Sequence, residues 1–334
     1  MSAAGTRAVT GPRNPGRAHG PDRDGPGPRP ARPRLRERFT GAGLPYLLLL
    51  PVVLMLLAVL GYPTVRLLVL AFQDYGVKQL WSGTAGEWVG FANFTDTLGD
   101  GFFWEVVART TVFTIACVTL SIGLGLLIAL LMRRISTWVR VLLTVSLVLT
   151  WSMPQLVAST IFVWMFDTDW GVMNWLLSTL PGVDFDQHNW FADPVQGFAV
   201  IVAVVVWGAI PFIAITLYAA LTQVPKELEE AAWVDGASGL RVFFNVTLPV
   251  IKPVLLMVTT LSIIWDFGVF NQVWAMRDQE PTEEYYLMSV YSFQKAFTDN
   301  DYGLGAAIAL LTMVMLLGAS IAYLRQMLKT GEVE

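Results

Sequence analysis

Six long apolar segments alternate with polar connections along most of this 334-residue chain. A helix needs about 20 residues to cross the ~30 Å hydrocarbon core of a bilayer, and each segment reaches that length. Prolines interrupt several segments, which favours kinked or tilted helices. The pattern predicts an all-α integral membrane protein with six transmembrane helices, at about 44–72, 106–132, 139–166, 195–222, 250–275 and 304–326.

Composition agrees with this prediction. The chain is 54% hydrophobic and 14% charged, whereas soluble domains carry about 25% charged residues. The one cysteine, Cys117, cannot form an intrachain disulfide, and there is no CxxC motif. Histidines stand only at His19 and His188, so we expect no metal site, and we expect His188 to be a surface residue in an acidic loop.

The first 38 residues differ from the rest of the chain. They are rich in Pro, Gly and Arg and nearly free of large apolar side chains, a composition that cannot offset its chain entropy by burial. We predict a disordered basic cytoplasmic tail over 1–38 and a transmembrane domain over 39–334. The tail is expected to anchor the chain and set its orientation, with a nucleic-acid-binding or lipid-binding arm as the alternative.

The distribution of Lys and Arg between the connections indicates one orientation. If the tail is cytoplasmic, the second, fourth and last polar segments are cytoplasmic too, and these carry most of the cations, including Arg133, Arg134, Lys226 and Arg241. The outer connections are mainly acidic. We therefore predict a multi-pass protein of the plasma membrane with both termini cytoplasmic.

The connection at 223–249 is too long and too polar for a tight turn. Pro225 can open a helix at its first turn, and Gly236 permits a break that a residue with a β-carbon would resist. A second short helix is expected over about 238–247 and should end at Leu248-Pro249. From the residues alone, this helix–turn–helix is either an ordinary amphipathic connection or a low-relief docking surface for another protein.

A family resemblance favours the docking surface. The connection contains Glu230-Ala231-Ala232, Asp235-Gly236-Ala237 and Leu248-Pro249. This pattern resembles the EAA loop of binding-protein-dependent ABC importers, in which the loop docks into a groove on a separate ATPase. The resemblance implies the type I importer permease architecture with a cytoplasmic coupling loop. By that resemblance the coupling residues would be Glu230, Ala231, Ala232, Asp235, Gly236, Ala237, Leu248 and Pro249.

Other segments are similar to the maltose-type sugar permease branch of the same family, over about residues 44–328. They include Tyr62-Pro63, Asn93-Phe94, Pro154, Trp164, Gly171, Asn174, Trp207, Pro211 and Pro225-Lys226. Two departures are Arg109-Thr110, where many relatives have Asn-Thr, and 276–281, where a Gly-rich turn is usual.

The resemblance also implies the partners: a second permease in a heterodimer, an ATPase dimer, an extracytoplasmic solute-binding protein and the lipid bilayer, but no nucleic acid. The sequence lacks the phosphate-binding motif GxxxxGK[ST]. No cofactor is therefore expected on this chain, and ATP and Mg are expected on the ATPase.

Asp266 is a carboxylate within the fifth apolar segment, where an uncompensated charge costs about 2.5–3.5 kcal/mol. Helical spacing places positions 262, 265, 266 and 269 on one face, and a hydroxyl, an indole and a carboxylate together suit a sugar. Asp266 could instead bond a neighbouring helix or lie in the wet outer region. The resemblance implies a substrate path along Ser262, Trp265, Asp266, Trp207, Ala209, Pro211 and Phe212, with Pro211 opening its helix locally.

Together these observations predict a subunit that imports a sugar or related polar solute by alternating access, driven by ATP hydrolysis on a partner. The chain itself is not expected to be an enzyme. The alternatives are a permease of the same family for a non-sugar solute and an ion-coupled secondary transporter. The latter would usually carry more buried charge and an inverted repeat. A membrane-embedded enzyme would need a nucleophile–base constellation that the sequence lacks.

Overall fold

The computed structural model describes residues 44–182 and 184–331, so the predicted tail at 1–38 lies outside the described residues. The chain divides into two compact units at Gly61. In the described part of the chain, five helical segments are long and apolar enough to cross a membrane, and a sharply bent helix pair brings the number to six. The six-span, all-α fold class is thus confirmed.

The first unit contains α1 (Leu44–Leu56) and a π-helical turn at Leu57–Gly61. The second unit begins with α2 (Tyr62–Leu70) and holds the remaining helices: α3 (Val77–Ser82), α4 (Ala92–Gly99), α5 (Gly101–Arg134), α6 (Thr137–Trp151), α7 (Gln155–Met165), α8 (Val172–Ser178), α9 (Pro194–Thr222), α10 (Lys226–Val234), α11 (Gly239–Val242), α12 (Leu248–Phe267), α13 (Asn271–Met276), α14 (Met288–Phe293) and α15 (Tyr302–Gly331). A two-stranded antiparallel sheet pairs β1 (Gln73–Asp74) with β2 (Glu87–Trp88).

The third predicted span, 139–166, is not one helix. It consists of α6 and α7, which meet at an angle of 97°. The cause is Pro154, which has no N–H to continue the helix and disfavours helical backbone at the residue before it. Pro154 itself is extended, with φ −58° and ψ 132°.

The fifth span also differs from its predicted bounds, 250–275. One helical segment runs from Gly239 to Phe267, so the second short helix of the connection does not end at Leu248-Pro249. A wider π-helical turn at Phe243–Thr247 precedes the proline, and this turn relieves the clash between a proline ring and the carbonyl four residues earlier. The helix then ends at Phe267, and 271–276 form the separate helix α13.

Helices α5 and α9 form the most extensive helix–helix contact among the described residues. They approach closely because Gly125 faces Ile213: a β-carbon added at Gly125 would overlap the Ile213 side chain. Buried apolar residues on α5, α9 and α12, such as Ala129, Leu217 and Ile251, extend this packing into one core cluster. This packing fixes the helices that surround the cavity described below.

The 276–281 departure from the family pattern folds without glycine. Asp278 and Gln279 adopt positive φ values of 51° and 63°, a region that costs most residues energy. The neighbouring Arg277 guanidinium lies 4.3 Å from the centroid of the Tyr285 ring. The Tyr285 hydroxyl in turn donates to the carbonyl of Phe191 at 3.0 Å, so the segments around Phe191 and Tyr285 hold one another in place.

Candidate functional site

A cavity of about 360 Å³ lies where α6, α7, α9, α12 and α13 meet. Five of the seven predicted substrate-path residues line it, namely Trp207, Ala209, Phe212, Trp265 and Asp266. The other two, Ser262 and Pro211, are buried and do not line it. The structure thus brings together side chains that are up to 59 positions apart in the sequence.

Asp266 is 4% exposed and faces this cavity from α12. The hydroxyl of Ser262, one turn earlier, donates a 3.0 Å hydrogen bond to Oδ2 of Asp266. No other hydrogen bond to this carboxylate is formed by the described residues. Asp266 therefore does not bond a neighbouring helix, which was one alternative, and it retains accepting capacity towards the cavity.

Aromatic rings form much of the remaining wall. The rings of Phe212 and Trp265 are 5.4 Å apart and nearly perpendicular, at 65°. Trp151 lies 6.1 Å from Phe212 in a stacked arrangement. Trp265 is half exposed, at 52%, so its indole is available to a ligand in the cavity. Flat apolar faces next to hydrogen-bonding groups are the arrangement that suits a polar ring-shaped ligand.

Among the lining residues that sequence analysis missed are Trp151, Gln155 and Gln272. The Gln272 amide donates a 2.8 Å hydrogen bond to Oε1 of Gln155, and both residues line the cavity. The bend at Pro154 carries Trp151 and Gln155 to the cavity, and a straight third helix gave no reason to place them there. A proline inside a predicted span was the available signal.

Two predicted details of this site are wrong. Pro211 does not open its helix, since α9 continues unbroken from Pro194 to Thr222 and the core packing described above holds it in register. Position 269 does not share a helical face with Ser262 and Asp266, because α12 ends at Phe267 and Gly268 follows as its C-cap. Val269 nevertheless lines the cavity.

The connection between α9 and α12 forms the second candidate site. The turn after α10 depends on Gly236, whose φ is 80°, a conformation that glycine adopts readily. Glu230, Ala231, Asp235, Gly236 and Pro249 are exposed, whereas Ala232, Ala237 and Leu248 are half-buried.

Large apolar side chains are also exposed on this connection, including Leu228, Trp233, Val234 and Leu240. The predicted coupling residues therefore lie on an accessible, partly apolar surface.

Glu229 is the exception on α10, because it is only 7% exposed. Arg133, at the end of α5, donates to its two carboxylate oxygens at 3.0 and 2.8 Å. Thr247 donates to Oε1 at 2.8 Å. The hydrogen bonds from Arg133 lower the pKa of Glu229; burial opposes this shift, and the Thr247 hydrogen bond assists it. Glu229 lies in the first turn of α10, where a carboxylate is stabilised by the positive end of the helix dipole, so its position in the sequence does not indicate this buried cluster.

Among residues 44–182 and 184–331, no three His, Cys, Asp or Glu side chains lie close enough together to hold a metal ion. His188 is half-buried and bonds Gln196 at 2.6 Å between Nε2 and Oε1. Its ring also packs against Phe185 and Trp190. The contacts of His188 among the described residues are therefore structural ones.

Comparison with known proteins identifies the family. Residues 121–330 match the family described as "Binding-protein-dependent transport system inner membrane component". The structure resembles a chain of a bacterial ABC transporter involved in the import of the acidic polysaccharide alginate. The TM-score is 0.74 at 20% identity, over 88% of this chain and 98% of the other. This likeness shows the fold that the resemblance implied.

Two relatives extend the match over nearly the whole chain. The diacetylchitobiose uptake system permease protein DasB of Streptomyces coelicolor is 40% identical over 311 residues, which cover 93% of this chain and 94% of the relative. The trehalose/maltose transport system permease protein MalF of Thermococcus litoralis is 30% identical over 288 residues, 86% of this chain and 95% of the relative. The chain belongs to the binding-protein-dependent ABC importer family, as its membrane-spanning permease subunit and not as an enzyme.

Proposed function

We propose that this permease imports a sugar or a related polar solute by alternating access, coupled through the 225–249 loop to a separate ATPase. The supporting observation is the cavity itself, in which Trp151, Phe212 and Trp265 lie beside the Asp266 carboxylate. An indole or phenyl face can stack on the C–H face of a sugar ring, and the carboxylate can accept from its hydroxyls. The relatives' sugar-uptake names support the same substrate class.

The proposed assembly contains this chain, a second permease, an ATPase dimer and an extracytoplasmic binding protein that delivers the solute. ATP and Mg would bind the ATPase. Closure of the ATPase dimer would move the exposed 225–249 loop, and the helices around the cavity would then open outward. ATP hydrolysis would reset them to face inward. Both termini, in this arrangement, are cytoplasmic.

The test is sugar-stimulated ATP hydrolysis and uptake by the complete complex in lipid vesicles, measured with and without the binding protein. The panel would contain diacetylchitobiose, trehalose, maltose and a non-sugar solute such as an amino acid. Stimulation by one sugar supports the proposal. Stimulation by the amino acid alone, in an assembled complex, would assign the permease to a non-sugar solute.

The coupling role of the loop is tested in the same complex with Gly236→Pro. Proline fixes φ near −65°, which is incompatible with the 80° at Gly236, so stimulation should be lost. Gly239→Pro is the matched control because Gly239 is the first residue of α11, where proline is tolerated. Equal stimulation in wild type and Gly236→Pro would contradict a coupling role for this turn.

A further inference from the structure

Glu229 differs from its neighbours on α10 in a way that the docking role of the loop does not explain. Glu227 and Glu230 are exposed, whereas the Glu229 side chain points inward and is nearly removed from solvent. A buried charge is costly unless it is paired and hydrogen-bonded. Any function of Glu229 must therefore be sought inside the chain and not on the surface that meets a partner.

The partners of Glu229 lie on two different membrane-spanning segments. Arg133 belongs to the last turn of α5. It donates hydrogen bonds to both carboxylate oxygens of Glu229, and this bidentate geometry fixes orientation as well as distance. Thr247 ends the π-helical turn that leads into α12. One carboxylate thus bonds the loop helix to α5 and to the segment that continues as α12.

Fold stability alone is a weak explanation for this cluster. Replacing a buried ion pair by apolar residues is often neutral or stabilising, and the best-attested use of such pairs is to fix a register or relative position. The apolar contacts here could serve stability, since Trp233, Val242 and Phe243 surround the same cluster. The bidentate ion pair of Arg133 and Glu229 adds a defined geometry that an apolar contact would not provide.

The geometry also connects the cluster to the cavity. The segment Gly239–Phe267 is one helical run, with Thr247 near its beginning and Asp266 near its end. A displacement of α10 that is passed to Thr247 is therefore applied to the helix that carries Asp266. The same displacement reaches α5 through Arg133, and α5 packs along α9, which carries Trp207 and Phe212.

We infer that Glu229 is a positioning residue that locks α10 to the ends of α5 and α12, so that movement of the loop is transmitted to both walls of the cavity. The inference rests on the proposed function for its consequence, but not for the lock itself. Among the described residues, the side-chain hydrogen bonds that join α10 to these two segments all come from Glu229.

The lock is tested without any solute. A nitroxide spin label on Val234→Cys reports the mobility of α10, since Val234 is 87% exposed at the end of that helix and the single native cysteine is buried. Electron paramagnetic resonance spectra would be recorded for the purified full-length permease without the ATPase, which is proposed to cover this loop, with Glu229→Ala and with the exchanged pair Glu229→Arg/Arg133→Glu. Glu227→Gln, an exposed change on the same helix, is the matched control.

The expected spectra show an immobilised label in wild type and Glu227→Gln, a mobile label in Glu229→Ala, and recovery in the exchanged pair. A label equally immobilised in Glu229→Ala would overturn the lock. So would a mobile label in the exchanged pair in a permease that unfolds at the same temperature as wild type, because the pairing would then not be what orders α10.

The transmission is tested by solute imported per ATP hydrolysed in the same variants. Glu229→Ala should lower this ratio about tenfold, within the usual range of coupling between sites, while ATP hydrolysis and assembly persist, and the exchanged pair should restore it. An unchanged ratio with a mobile label would refute transmission. If the wild-type complex responds to no sugar in the panel, the proposed function fails, and the spectra still decide the lock.

Discussion

The hydroxyl of Ser262 donates to Oδ2 of Asp266 across one helical turn, at 3.0 Å, and leaves the rest of the carboxylate facing a cavity. An acceptor that is buried and yet only partly used is expensive to keep in a membrane-spanning helix. Its position beside Trp265 gives the proposed substrate path its one acidic acceptor among the described lining residues.

Asp266→Asn should weaken sugar uptake. The change keeps the shape of the side chain but removes the charge, and hydrogen bonds to charged groups contribute about 1.5–3 kcal/mol. We expect the apparent affinity for the imported sugar to fall roughly 10- to 100-fold, measured as the concentration for half-maximal uptake. Ser262→Ala, which leaves the carboxylate in place, should have a smaller effect. Unchanged affinity in Asp266→Asn would rule out contact between this carboxylate and the sugar.

Trp265→Ala should also reduce uptake, whereas Trp265→Phe should retain most of it. The indole is half exposed and packs edge-on against Phe212, so a phenyl ring can preserve both the contact and a flat face for the solute. The measurement is the initial uptake rate at limiting sugar concentration. Trp170→Ala is a suitable control, because Trp170 is exposed and does not line this cavity. Equal losses in the Ala and Phe variants would argue against ring stacking.

Gly125→Ala should destabilise the protein because a new methyl group would overlap Ile213 at the close approach of α5 and α9. Overpacking of this kind costs about 1–3 kcal/mol. Thermal unfolding of the detergent-solubilised protein would show a lower midpoint temperature. Gly123→Ala is the matched control on the same helix, since a β-carbon there meets nothing within 4 Å. If both variants unfold at the same temperature, the two helices do not approach as closely as described.

The contribution of Glu229 to stability should depend on pH in one direction. Arg133 and Thr247 hold the pKa of this carboxyl below its ordinary value, which is about 4.3. For a carboxyl with a lowered folded-state pKa, the stabilisation is complete above the unfolded-state pKa and is lost as the pH falls through the folded-state pKa. The difference in unfolding temperature between wild type and Glu229→Gln should therefore be constant down to about pH 5 and shrink at lower pH.

Glu227→Gln, compared with wild type over the same pH range, separates this effect from general acid sensitivity. Glu227 is exposed on the same helix, so its replacement should leave the unfolding temperature close to wild type throughout. A difference for Glu229→Gln that grows as the pH falls would have the wrong sign for a carboxyl stabilised in its charged form.

The length and position of the apolar segments predicted the spans well where the helix is regular. The predicted 195–222 agrees with Pro194–Thr222 to within one residue, because a continuous apolar run leaves few alternatives. Hydrophobicity did not reveal the break between α6 and α7, since both halves are apolar. Nor did it reveal that Gly239–Phe267 is one helical segment, because proline usually indicates an end, and the π-helical turn that accommodates Pro249 has no simple sequence signal.

The two candidate sites differ in how far the sequence could predict them. Asp266 is conspicuous because a charge stands alone in an apolar segment, and it does line the cavity. The pairing of Arg133 with Glu229 spans 96 positions, and each residue had a sufficient local explanation, as a topology charge and as a helix-end charge. A tertiary ion pair of this kind is invisible in a single sequence, since nothing local distinguishes a paired surface residue from a free one.

The bend between α6 and α7 has a consequence for how the protein enters the membrane. At 1.5 Å per residue, the 15 residues of α6 extend roughly 22 Å and the 11 residues of α7 roughly 16 Å, both less than a bilayer's hydrocarbon thickness. Neither half can be a stable, independently inserted span, and the polar backbone at their junction needs protein around it. During biosynthesis α6 and α7 are therefore stably inserted only once α9, against which they pack, is present. The cavity wall is completed only after that next span has been synthesised.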